Sequence, residues 1–132
     1  KFRAAPLVVV VDDEAAVRDA MAMVLTSWNC KVISTANRTD ALFALERSAA
    51  DPILLIVDLM LENDSGIDVI IALREECNQD IPAMLMSGNL GEAVETAEQQ
   101  NIMCFDKPVD PQEIRIILDD LVSASNLHHA AQ

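Results

Sequence analysis

Four polar sites in this chain follow directly on short hydrophobic runs: Asp12-Asp13, Asp58, Ser87 and Lys107. The runs are residues 7–11, 53–57, 83–86 and 102–105. Three carboxylates, a hydroxyl and an ammonium brought to one place could bind a divalent cation and a phosphoryl group. Asp58 closes an apolar run, so its carboxylate falls at the rim of a core. A carboxylate there can attack phosphorus and carry the phosphoryl group as an acyl phosphate. Asp12 and Asp13 would add two anions, and clustered carboxylates resist full ionisation unless a cation joins them. Mg2+ suits such a set, being a hard ion content with a few carboxylates, waters and a phosphate oxygen. The expected ligands are Asp13 and Asp58, Asp12 directly or through water, and the backbone carbonyl of Met60. Lys107 offers a point positive charge to a phosphoryl oxygen. It precedes Pro108, and an X–Pro bond can be cis at modest cost, which would turn the ammonium toward the site. Ser87 offers a hydroxyl, and Gly88 beside it would let backbone approach closely.

Each residue also has a plainer use. Asp12, Asp13 and Glu14 suit a helix N-terminus through its dipole. A lone lysine is most often solvated, and Ser-Gly is a common turn. An isolated Asp after a strand is usually a loop residue. The joint occurrence carries the chemical reading: every group lies just past an apolar run.

The elements that must position these groups alternate along the chain. Residues 7–11 are a continuous apolar run, as expected of a strand buried on both faces. Val17, Ala20, Met21, Val24, Leu25 and Trp28 then recur at helical spacing. Residues 31–35 read as a second strand, and Asn37 as the cap of a helix running to about Ala49, where Asp51-Pro52 breaks it. Residues 53–57 are the third strand. A polar turn from Glu62 to Gly66 precedes a helix with Ile67, Ile70, Ile71 and Leu73 inward, ending near Cys77-Asn78. Residues 81–86 make a fourth strand, 90–99 a fourth helix and 102–105 a fifth strand. Asp110-Pro111 opens the last helix, with Pro111 at its first position. Residues 123–132 read as a frayed tail.

Strand and helix alternating five times imply an α/β fold, a (βα)5 doubly wound parallel sheet. At this size the five-stranded order is 2-1-3-4-5, the flavodoxin-like arrangement, with ligands at the carboxyl ends of the strands. The four polar sites would then share one edge of the sheet.

Bulk properties narrow the function classes. At 132 residues the chain forms one domain. Its 52% hydrophobic and 23% charged content fits a compact fold, and 3% aromatics means an aliphatic core. A formal net charge of −13 repels phosphate backbones and acidic lipid, which argues against nucleic-acid or membrane contact by this domain. Cys30, Cys77 and Cys104 are widely spaced and odd in number, as expected of reduced thiols in the cytoplasm. No apolar run approaches the ~18 residues of a membrane span. His128-His129 is too short to read as a metal site. The chain starts at Lys1 rather than Met. Residues 1–6 read as a linker and the rest as one part of a larger protein.

These residues bring the chain into line with a known family: it resembles the receiver (CheY-like) domains of two-component response regulators. The resemblance covers residues 7–122. It rests on Val9 to Glu14, on Val57 to Leu61 with Gly66 eight residues after Asp58, on Met86-Ser87-Gly88 and on Asp106-Lys107-Pro108. It implies that Asp58 accepts phosphate from a histidine kinase or a histidine phosphotransfer protein, with Asp12 and Asp13 binding Mg2+. Ser87 and Lys107 would contact the phosphoryl group. Their shift would alter the surface of the fourth helix, fifth strand and fifth helix, a surface that also leaves room for a homodimer. A receiver of a hybrid histidine kinase fits the absent initiator Met.

Three positions depart from the family pattern. Where Tyr or Phe usually stands three residues before the lysine, this chain has Cys104. Strand alternation turns the neighbouring Phe105 to the other face, which puts the aromatic switch of the family in question. Glu62 replaces a frequent Pro, loosening the loop and adding charge. Met60 offers no polar group to hold attacking water, so slow loss of phosphate is expected.

Other function classes fare less well. A Mg2+-dependent phosphohydrolase with an aspartyl nucleophile is the main alternative, but such enzymes commonly carry an acid where this chain has Met60. A nucleotide or flavin binder would need a glycine cradle after the first strand, and Asp12-Asp13-Glu14 is none.

Overall fold

Aliphatic runs form the strands, and a helix follows each of them. The elements are β1 (Leu7–Val11), α1 (Ala15–Ser27), β2 (Lys31–Thr35), α2 (Arg38–Glu46), β3 (Leu54–Asp58), α3 (Gly66–Cys77), β4 (Ala83–Ser87), α4 (Ala93–Gln99), β5 (Met103–Asp106) and α5 (Pro111–Ala131). The computed structural model describes residues 5–131, with side chains through residue 125. Most of the expected linker and the side chains of His128 and His129 lie outside the described residues.

All four strand pairings are parallel, and the sheet order is β2-β1-β3-β4-β5, as the alternation predicts. Every residue of β1, β3 and β4 is buried, because helices cover both faces. Alternate residues feed two separate cores. Val9, Val11, Leu55, Val57 and Leu85 pack with α2, α3 and α4. Val8, Val10, Leu54, Ile56, Met84 and Met86 pack with α1 and α5. Each fully buried aliphatic side chain contributes about 1.5–3 kcal/mol relative to exposure, so the sheet holds the site on a rigid base. Among the described residues, no helix is long and apolar enough to cross a membrane.

Several boundaries differ from expectation, for local reasons. Asn37 does cap α2, accepting from the Asp40 amide at 2.8 Å, but the helix stops at Glu46. There the Ser48 hydroxyl engages both backbone groups of Ala50, offering the chain an alternative to helix. The fourth helix begins at Ala93 rather than Leu90, because Gly91 adopts φ +49° just before it. The strands β3 and β5 sit one residue later than expected, and β4 starts after Pro82. The last helix runs through Ala131, so the backbone expected as a tail is helical: neither Gly nor Pro interrupts residues 112–131.

Candidate functional site

The carboxyl ends of β1, β3, β4 and β5 lie side by side. Asp58 is the last residue of β3 and pairs in register with Met86; Ser87 ends β4 and pairs with Asp106. One residue past β5, the Lys107 amide donates to the Ser87 carbonyl at 3.0 Å, locking the two strand ends together. Asp12 follows β1, and its amide donates to the Thr35 carbonyl at the end of β2. The Arg18 guanidinium donates to the Asp12 carbonyl at 2.7 Å, fixing the turn into α1.

Lys107 is the hub of the side chains. Its Nζ lies 3.1 Å from Asp58 Oδ2 and 3.2 Å from Asp12 Oδ2. Glu14 Oε1 stands farther off, at 3.8 Å. Asp58 Oδ1 accepts a long bond from the Met60 amide at 3.4 Å, and Asp12 Oδ1 accepts from the Glu14 amide at 2.9 Å. The Lys107–Pro108 peptide is cis. Ser87 Oγ is buried and accepts from the Asn89 amide at 3.0 Å, leaving its own proton free to donate.

Charge balance distinguishes the two partners of the central pair. Burial pushes the Asp58 carboxyl above the usual carboxylate range, and the nearby Asp12 charge adds to this. The Lys107 hydrogen bond opposes it without winning. For Lys107 burial acts to weaken the ammonium, but hydrogen bonds to Asp58 and Asp12 outweigh that and raise its pKa. The Lys107 ammonium is therefore favoured, and Asp58 ionises less readily than an exposed aspartate. Three carboxylates (Asp12, Glu14 and Asp58) have oxygen atoms within 4.8 Å of one another and share one ammonium. A set of hard oxygen donors with surplus negative charge fits a divalent cation.

The structure thus brings Asp12, Asp58, Ser87 and Lys107 to one edge, as their spacing implies. Asp13 is exposed and stands outside that three-acid group. Glu14 joins it instead. The reason is local: the chain bends at Asp13, and the Glu14 amide donates to Asp12 Oδ1 at 2.9 Å, which holds residue 14 beside Asp12. The acidic triplet held that signal, but the sequence presents Glu14 only as a helix-start acid. Gly88 approaches no neighbour; a β-carbon there would meet nothing within 4 Å. Cys104 and Phe105 do face opposite cores, Cys104 toward α4 and Phe105 toward α1 and α5.

Known proteins resemble this chain in sequence and in fold. The model of the response regulator receiver domain matches residues 8–119. A probable transcriptional regulator, ycf27 of Pyropia yezoensis, is 31% identical over 110 residues, covering 81% of this chain and 43% of that protein. The chain thus spans less than half the length of that relative. A receiver domain protein from Clostridium thermocellum superposes with a TM-score of 0.80 at 16% identity, covering 92% of this chain and 98% of that one. The receiver domain of the hybrid histidine kinase CckA superposes with a TM-score of 0.71 at 23% identity, covering 87% and 97%. These last two likenesses concern the fold; with the sequence match across nearly the whole domain, the chain belongs to the response regulator receiver domain family of two-component systems.

Proposed function

We propose that this domain accepts a phosphoryl group on Asp58 from a histidine kinase or histidine phosphotransfer protein, with Mg2+ as cofactor. One observation carries the reading: the buried Asp58 carboxylate at the end of β3 lies 3.1 Å from the Lys107 ammonium, within a cluster of three acids at the edge where Ser87 ends β4. An Asp58 oxygen forms the new P–O bond as the P–N bond to the donor imidazole breaks. Lys107 is within reach to pair with a phosphoryl oxygen once the charge on Asp58 is dispersed, and the Ser87 hydroxyl can donate to another. Asp12, Asp13, Asp58 and the Met60 carbonyl are the proposed Mg2+ ligands; Asp12 and Asp58 belong to the cluster of three acids, and Asp13 stands outside it. Bound there, the cation supplies neutralisation of phosphoryl oxygens that three carboxylates would otherwise repel.

Rearrangement of Ser87 and Lys107 would then reach α4, β5 and α5, the surface through which output or pairing of two copies would be regulated. The domain works as a signalling module. Met60 has no acid to protonate a leaving group, which weighs against a phosphohydrolase. Three unpaired thiols favour the cytoplasm as its compartment.

Incubation with acetyl phosphate and Mg2+, followed by intact mass, tests the reading. The expected result is one added phosphoryl group, lost in Asp58→Asn and prevented by EDTA. Equal labelling of Asp58→Asn would overturn it.

A further inference from the structure

Glu14 is the acid of the crevice that its local structure leaves without a use. It occupies the position before α1, yet its side chain makes no cap hydrogen bond. Its backbone is fixed by the Asp12 carboxylate. Its carboxylate is 66% exposed, whereas those of Asp12 and Asp58 are buried, and at 3.8 Å it is too far from Lys107 for a hydrogen bond. Asp58 therefore forms the floor of the crevice and Glu14 stands at its mouth. Glu14 also borders a mostly apolar groove of about 560 Å3, with Val17, Met21, Met86, Lys107 and Pro108. In-line transfer to Asp58 puts the leaving group on the side away from the attacking oxygen, which is the mouth.

We propose that Glu14 selects the phosphodonor by charge, favouring phosphoimidazole donors over acyl phosphates. The inference rests on Asp58 being the phosphoacceptor. A phosphoimidazole protonated on its second ring nitrogen has a cationic ring, although its phosphoryl oxygens leave the molecule anionic overall. Asp58 takes its phosphoryl group, the P–N electron pair stays with nitrogen, and neutral imidazole leaves with its N–H. The Glu14 carboxylate attracts that ring and can accept its hydrogen bond. With acetyl phosphate the P–O bond breaks and acetate leaves, so negative charge grows at the mouth, facing Glu14. One carboxylate thus helps the first donor and hinders the second.

The test compares initial rates of Asp58 phosphorylation by acetyl phosphate and by monophosphoimidazole, both at saturating Mg2+. Glu14→Gln is expected to raise the acetyl phosphate to monophosphoimidazole rate ratio about fivefold, and Glu14→Lys further, as for removal and reversal of a rim charge. Glu14→Asp should keep the ratio near that of the unaltered protein. The shift should shrink as salt rises, because the charge is exposed. Taking a ratio cancels losses in folding or cation affinity that both donors share. A ratio unchanged in both Glu14→Gln and Glu14→Lys overturns the inference while the phosphoacceptor reading stands. Failure of both donors to label the unaltered protein overturns the two together.

Discussion

Gly66 is pressed against the main chain of Asp58. Its amide donates to the Leu59 carbonyl at 2.7 Å, and a β-carbon on it would collide with the Asp58 carbonyl. The glycine at the start of α3 thus sets the path of the loop that follows Asp58, the proposed phosphoacceptor. Gly66→Ala is expected to cost about 1–3 kcal/mol of stability, as for other forced overpacking. It should also displace Asp58 and slow its phosphorylation. Gly88→Ala is the contrast: with open space around it, the change should stay within about 0.5 kcal/mol. Urea unfolding of the two variants checks both; equal midpoints would refute the steric account.

Removing the Lys107 ammonium leaves Asp12, Glu14 and Asp58 facing one another. Lys107→Ala should therefore lower the melting temperature in EDTA. Mg2+ should raise it again, and by more than in the unaltered protein, because a ligand that binds only the folded state stabilises it. Thermal melts with and without Mg2+ measure this. A smaller cation-induced rise in the variant would sink the idea that lysine and cation neutralise the same acids.

Arg74 reaches from α3 to three main-chain carbonyls: Ile81 at 2.9 Å, Gln100 at 2.6 Å and Asn101 at 3.1 Å. It joins the start of β4 to the turn between α4 and β5. Arg74→Lys should cost about 1–2 kcal/mol, since an ammonium cannot match a fork aimed at three acceptors. Faster hydrogen exchange in residues 97–102 should accompany the loss. Unaltered exchange there would mean the contacts hold nothing together.

The three thiols should be sluggish nucleophiles. Burial raises all of them above the ordinary value of 9.0. Nearby acids add to the rise at Cys77 and Cys104, while Arg115 partly opposes it at Cys30. A raised pKa means less thiolate at a given pH, and the thiolate is the reactive form. Iodoacetamide labelling at pH 8 should run slower than for a free cysteine peptide and quicken as pH rises past 9.0, with the buried Cys30 slowest. Fast labelling of Cys104 at neutral pH would contradict this.

Met60 stands 69% exposed two residues from Asp58, with only its amide near the carboxylate. It presents sulfur and methylene where a polar group could hold water, so the phosphorylated domain should keep its label. A half-life of seconds would count against this, as would a Met60→Gln variant that loses phosphate no faster.

The sheet order and the meeting of Asp12, Asp58, Ser87 and Lys107 were legible because buried parallel strands are apolar throughout and end where polarity begins. What escaped depended on local geometry. Whether Asp13 or Glu14 joins Asp58 turns on the bend at residue 13 and the bond from the Glu14 amide to the Asp12 carboxylate, which an acidic triplet does not announce. The end of α2 turned on one serine hydroxyl, and the length of α5 on the absence of a breaker in a sequence of middling helix propensity.

The alternation of Cys104 and Phe105 across β5 makes two adjacent positions independent dials. Repacking residue 104 reaches the layer that contains α4. Repacking residue 105 reaches the layer that contains α1 and the groove beside Lys107. One half of the domain can therefore drift in evolution, or be re-engineered, while the other keeps its fit.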